Sequence, residues 1–172
     1  MHSQFPLERT CTHRAEPFQL TFARRALELL PQSPDRSYEA SRKGLIIRGE
    51  TESAVEHPTA VLKNMYGEQL RIGALTIRYR PGAVLEEPHM GVRVQCPSDH
   101  FAAVRADLLA RGAIIQDEEL TPIMGVVRCT APLARLLGYA QTLAAMTQGR
   151  GREVMWLSHY APAEPPPPPP AA

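Results

Sequence analysis

"MGVRVQCPSDHFAAVRADLLARG", Met90 to Gly112, is the stretch whose reading decides the fold. Met90, Val92, Val94 and Cys96 are apolar and the residues between them polar or small, the period of a half-buried strand. At Pro97 and Ser98 the period changes. Phe101, Val104 and Leu108 then recur on one helical face until Gly112 ends it. Downstream, "AIIQDEE" (Ala113 to Glu119) and "IMGVVRCT" (Ile123 to Thr130) read as two strands around a turn at Leu120 to Pro122. A second helix opens at Pro132, a residue suited to a first helical turn, and puts Leu133, Leu136, Leu137, Ala140 and Ala144 on one stripe. "REVMWLSHY" (Arg152 to Tyr160) supplies the last strand. The order strand, helix, strand, strand, helix, strand is the split ferredoxin-like unit.

Working outward, the first half repeats that order less distinctly. "FQLTFA" (Phe18 to Ala23) reads as a strand and "RRALELL" (Arg24 to Leu30) as a short helix stopped by Pro31. "RSYEAS" and "GLIIRG" form a hairpin turning near Lys43 and Gly44. "SAVEHPTAVLKNMYG" has the capping-box spacing Ser53 to Glu56 and ends at Gly67, with Pro58 expected to kink the helix or delay its start. "LRIGALTIRYR" closes the unit with Leu75, Ile77 and Tyr79 alternating. The expected fold is α+β: two ferredoxin-like βαββαβ units whose antiparallel sheets carry helices on one face. Residues 1–16 are expected as an irregular arm, 17–80 as the first unit, 81–88 as a linker, 89–160 as the second unit and 161–172 as a proline-rich tail. The tail, lacking amide donors, should extend as polyproline II.

The 172 residues, 44% hydrophobic, can bury one ordinary core or two small ones. No apolar run approaches the roughly 20 residues that span a bilayer, and "MHSQFPLERTCTHRAE" has no secretory core, so a cytoplasmic chain without membrane contact is expected. Cys11, Cys96 and Cys129 are odd in number and far apart, which points to reduced packing residues rather than a disulfide framework. A formal charge of +1 provides no global pull on nucleic acid, so any such contact has to come from a local patch or from shape.

"APLARLLGYAQTLAAMTQGRGREVMWLSHY" (Ala131 to Tyr160) resembles the C-terminal domain, domain V, of bacterial translation elongation factor G. "EPHMGVRVQCPSDHFAAVRADLLARG" (Glu87 to Gly112) is similar to the strand and helix that open that domain. Pro132, "GYA" (Gly138 to Ala140), "MTQGRG" (Met146 to Gly151) and "SHY" (Ser158 to Tyr160) stand at the family's spacing. Upstream, "GLIIRGETESAVEHPTAVLKNMYGEQLRIGALTIRYR" is similar to domain III, with Gly49, Glu52, Glu56, Leu62, Lys63, Gly73 and Tyr79-Arg80 in place. The chain departs from the family at Ala54, where a histidine is usual, and at Ala144 and Ala145, where a polar, arginine-containing helix end is usual. It also has one arginine, Arg111, where two are usual.

No G-x-x-x-x-G-K-[ST] run occurs, so no guanine nucleotide is expected to bind, and one short linker stands where domain IV would lie. The resemblance therefore implies a non-enzymatic relative without the GTPase domain and domain IV. It would bind large-subunit rRNA at the factor site of the ribosome and modulate translation, with no cofactor. The alternative is a protein-interaction or homo-oligomerisation module built on the same sheets.

The candidate contacts lie in the glycine loop. A glycine after a helix takes the left-handed conformation at little cost, and a second one lets the chain turn into the next strand, which accounts for Gly149 and Gly151. Gln148 and Arg150 are not required by that geometry; they suit sugar and phosphate contacts, or else solvent and the carbonyls of Leu143 to Met146. In the family this loop faces rRNA, so the resemblance implies Thr147, Gln148, Gly149 and Arg150 as contacts, extended by Arg111. Arg105 and Arg128 rank below the loop. The histidines and cysteines show no close metal-ligand spacing, so no metal site is expected. Ser158 and His159, as neighbours on a strand, should point to opposite faces and not hydrogen-bond directly.

Overall fold

The structure, a computed structural model, describes residues 5–164; the proline run from Pro165 onward lies outside them, and with it the polyproline expectation. Two antiparallel sheets with helices form an α+β chain. The first contains β1 (Leu7–His13), β2 (Arg36–Ser41), β3 (Gly44–Gly49), β4 (Leu70–Ile72) and β5 (Thr76–Ile77), in the order β2-β3-β1-β4 with β5 also on β1. The second contains β6 (Glu86–Pro97), β7 (Ile114–Leu120), β8 (Met124–Pro132) and β9 (Arg152–Pro162), ordered β7-β8-β6-β9. Both orders place the unit's first strand between its third and fourth, as the split ferredoxin-like connection requires.

The first strand of the first unit is not Phe18 to Ala23 but Leu7–His13, inside the segment expected to be an irregular arm. Leu7 and Cys11 are fully buried, and the position between them on the same face is Arg9. Its guanidinium points at the helix layer, donating to Glu56 Oε1 at 2.8 Å with Thr59 Oγ1 at 3.4 Å. An inward arginine breaks the apolar alternation, which hides the strand. Phe18 to Ala23 instead opens helix α1 (Gln19–Leu29). Phe18 is its exposed N-cap and Phe22, Ala23 and Ala26 its buried stripe, so the helical period wins over the alternation of Phe18, Leu20 and Phe22.

Helix α2 (Glu52–Tyr66) starts one residue after Thr51, whose hydroxyl accepts from Ala54 N; the expected cap Ser53 lies inside the helix, and Glu56 is committed to Arg9 rather than to a capping box. Pro58 neither ends the helix nor delays its start. The closing strand is split into β4 and β5 at Gly73, where an added Cβ would lie 2.4 Å from Thr10 O.

In the second unit β6 already includes Glu86 to Pro88, three residues expected in the linker, and the turn before it is closed by reciprocal amide bonds between Arg80 and Glu86. Helix α3 (Phe101–Ala110) buries Phe101, Val104 and Leu108 as its spacing predicts. The second helix is not continuous. One turn, α4 (Leu133–Leu136), is followed by Gly138 at φ 77°, and α5 (Tyr139–Met146) then starts afresh. The break rotates the buried stripe onto Tyr139 and Leu143, leaving Leu137, Ala140 and Ala144 exposed. Cys11, Cys96 and Cys129 are free and buried; burial pushes the thiols of Cys11 and Cys129 up to about 11.

Two carboxylates on the β3–α2 segment reach backbone amides of the second unit. Glu50 Oε1 accepts from Leu157 N at 3.2 Å on the outer edge of β9, and Glu52 accepts from Gly138 N at 3.0 and 3.2 Å. The first blunts an otherwise open sheet edge. The second occupies an amide that the helix break leaves without an intrahelical acceptor. Beside them Glu52 and Glu153 line a cavity of about 270 Å³ with Met90, Leu133 and Met155. Burial first and Glu52 second raise the Glu153 carboxyl above its ordinary range.

Candidate nucleic-acid interface

The loop after α5 is built from its own backbone outward. Thr147 ends the helix, Gln148 has φ 48° and Gly149 φ 76°, two successive left-handed residues that reverse the chain. Gly149 N donates to Ala144 O at 2.8 Å, spanning the helix end in the manner of a Schellman closure, and Arg150 N donates to Thr147 O at 3.0 Å. Gln148 is the one non-glycine residue with positive φ among the described residues. Such a conformation costs an ordinary side chain about 1–2 kcal/mol.

Thr147 does not belong to the contact surface that the sequence suggests. Its side chain is fully buried, donating to Leu143 O and accepting from Gly151 N, both at 2.7 Å. Gly151 is explained by this packing, not by a turn conformation: an added Cβ would lie 2.8 Å from Thr147 Oγ1 and 2.9 Å from Leu143 Cγ. Gly149 has open space around the same position, so its φ is what favours glycine there.

Arg111 is also committed elsewhere. Its guanidinium donates to Asp107 Oδ2 at 2.8 Å, Arg135 O at 2.9 Å and Thr142 Oγ1 at 3.2 Å, and stands 5.1 Å from the Tyr139 ring centroid. It ties the end of α3 to α4 and α5. Tyr139 is fully buried and burial pushes its phenol far up. Arg105 and Arg128 are paired with Glu118 and Asp117, at 2.8 and 2.7 Å.

What remains is Gln148, the Gly149 backbone and Arg150, all exposed. Arg150 Nη2 donates to His100 Nε2 at 2.9 Å, with Gln148 Oε1 at 3.4 Å, and the guanidinium forms no ion pair among the described residues. His100 thus orients the arginine without neutralising it. The sequence holds no signal for this partner, since it lies fifty positions away, at the start of α3.

Ser158 and His159 depart from the strand expectation: Ser158 Oγ and His159 Nδ1 are 3.0 Å apart. His159 pairs with His89 and Leu157 with Met90, so Ser158 is the extra residue of a β-bulge and both side chains emerge on one side. The His159 ring stacks on His89 at 5.1 Å between centroids. Among the described residues no group of three or more His, Cys, Asp or Glu is placed to hold a metal, and no helix is long and apolar enough to cross a membrane.

The sheets and the glycine loop define an α+β chain of two ferredoxin-like units with a cationic turn at one end of the second. The chain belongs to the family described as elongation factor G C-terminus, whose model matches residues 84–169. It is 40% identical over 80 residues to elongation factor G of Ureaplasma parvum serovar 3, covering 46% of this chain and 12% of that one. Over 77 residues it is 44% identical to elongation factor G of Aquifex pyrophilus, covering 45% and 11%. The chain thus spans about an eighth of the length of these relatives. A crystal structure of a Thermus thermophilus protein superposes with a TM-score of 0.62 at 17% identity, over 98% of this chain and 42% of that one, a likeness of fold.

Proposed function

We propose that the chain binds the large ribosomal subunit at the site where translation factors dock, in the cytoplasm, and modulates translation by occupying it. Binding, not catalysis, is the activity, with rRNA sugar and phosphate groups as the ligand of Gln148 and Arg150. The observation that carries the reading is the Arg150 guanidinium, exposed, oriented by His100 and unpaired with any carboxylate among the described residues. A pre-positioned arginine of this kind suits a phosphate oxygen. The family relationship supports a translation-related origin. The domain III-like part, residues 44–80, would set the angle at which the loop is presented, through the Glu50 and Glu52 contacts.

Co-sedimentation with 50S subunits over a salt series tests the reading. Association should weaken as salt rises, because neutralised phosphates release condensed counterions. Arg150→Ala should flatten the slope by about one unit or less, as for a single lost phosphate contact. No salt-sensitive association of the parent at low salt would sink it. The alternative, pairing of two copies through their sheets, draws on the exposure of Val154, Trp156 and Ile114. It is disfavoured by arginines among them, which a twofold contact would set against their own copies.

A further inference from the structure

The helices cover one face of the second sheet; the other is open, and its composition is uneven. Directly opposed residues of an antiparallel pair share a face. Gly91, Arg93 and Gln95 of β6 therefore lie with Trp156, Val154 and Arg152 of β9 and with Thr130, Arg128 and Val126 of β8. Trp156 stands on Gly91, where an added Cβ would meet indole Cε2 and Nε1 at 2.3 Å. The ring therefore overlies the central strand because that position has no side chain, while 43% of the residue stays exposed. Arg93 is set directly against Arg128, a like-charge cross-strand pair that opposes folding. Arg128 is paired with Asp117 on the outer strand, whereas Arg93 and Arg152 have no ion-pair partner among the described residues. Carboxylates on this face are Asp117 and Glu119 of β7 and the largely buried Glu87 at the far end of β6, beside His89. Gly91 to Gln95 of β6 and Arg152 to Trp156 of β9 are thereby left cationic around one aromatic ring.

We propose that this open face binds single-stranded RNA, with one base stacked on Trp156 and the adjoining phosphates held by Arg93 and Arg152. An exposed aromatic ring on a sheet accepts a base of any sequence, and flanking arginines follow the backbone. At about 3.3 Å per strand residue, Arg152 lies roughly 13 Å along β9 from Trp156, about the reach of two nucleotides, with Arg93 between them. A phosphate beside Arg93 relieves its repulsion with Arg128. Thr130 and Gln95 supply the neutral polar groups that a ribose 2′-hydroxyl needs. The duplex form is excluded by the same chemistry, because its bases are already stacked. The surface is separate from the Arg150 loop and does not rest on the reading of that loop.

Trp156 is the chain's one tryptophan, so its fluorescence reports the site without a label. The full chain is titrated at low salt with a ten-nucleotide oligouridylate, with the deoxythymidylate of equal length, and with a ten-base-pair RNA duplex. Saturable quenching by the oligouridylate is expected, with weaker binding of the other two. Trp156→Ala, followed with a fluorescein-labelled oligouridylate, should bind about fivefold to a hundredfold more weakly, the range for one lost stack. Arg93→Gln should lower the salt slope by about one unit or less while leaving the tryptophan emission in place. Arg150→Ala should not alter either quantity, which keeps this surface distinguishable from the loop. Absence of quenching at low salt, or equal binding of the deoxy strand or the duplex, would overturn the assignment. A blue shift of the emission with protein concentration alone, together with dimers in sedimentation, would assign the face to a second copy instead.

Discussion

Replacing Arg111 by alanine should destabilise the second unit while leaving ribosome association intact. The Arg111 side chain is four-fifths buried, and its guanidinium makes three hydrogen bonds besides lying against the Tyr139 ring. The Asp107 pair and the Arg135 carbonyl bond contribute about 1 kcal/mol each and the ring contact about 0.5–1. One side chain makes all of them, so they do not add fully, and about 2 kcal/mol is the expected loss. For a chain of this size that corresponds to a fall in Tm of about 4–8 °C. Thermal and urea unfolding of parent and variant measure it, with 50S co-sedimentation across the same salt series alongside. The slope should match the parent's. Stability within about 0.5 kcal/mol of the parent, the range of ordinary surface substitutions, would refute the clasp. Combined with a slope lowered by about one unit, it would return Arg111 to the contact surface.

The glycines of the loop separate two causes of destabilisation. Gly151→Ala should cost about 1–3 kcal/mol by overpacking against Leu143 and Thr147, whereas Gly149→Val should cost about 1–2 kcal/mol through its left-handed backbone alone; urea unfolding of both checks this. An unchanged Gly151→Ala variant would remove the packing explanation. The Glu153 carboxyl, raised by burial and by Glu52, holds its proton more tightly in the folded chain than in the unfolded one. Its stabilising contribution is therefore present below the ordinary carboxylate range and lost as pH rises through the raised value. Glu153→Gln should accordingly unfold at a higher temperature than the parent at neutral pH, the difference shrinking on acidification. A constant difference across the series would contradict the burial argument.

The second unit is legible in the sequence because β6, β8 and the first helix bury apolar residues at undisturbed periods, as Val92, Val94, Val127, Val104 and Leu108 do. The first unit is obscured at its opening, where one inward charge does the damage: Arg9 occupies a face position between Leu7 and Cys11, and its partner Glu56 lies 47 residues away. The broken helix is hidden for a different reason. Leu133, Leu136, Leu137, Ala140 and Ala144 satisfy a continuous period so well that the left-handed Gly138 leaves no gap in it. At the candidate site Gln148, Gly149 and Arg150 can be placed because glycines punctuate a chain visibly. The burial of Thr147 cannot, because it depends on the loop folding back over the helix end. His100 and the Ser158–His159 contact require, respectively, a tertiary neighbour and a register shift that local sequence does not encode.

That register shift makes β9 two strands in one. From Arg152 to Leu157 the odd-numbered residues Met155 and Leu157 turn toward the helices, and beyond Ser158 the parity is reset, so that His159 turns the other way. Parity along a regular strand is rigid: insertion or loss of one residue turns over everything on one side of the change. Ser158 is already such an insertion, absorbed by the bulge and placed where the sheet meets the first unit. Its deletion would restore an unbroken ladder with Leu157 still opposite Met90 and His159 still opposite His89. The tryptophan-bearing segment and the His159 segment would both keep their faces, whereas loss of a residue on either side of the bulge would turn one of them over.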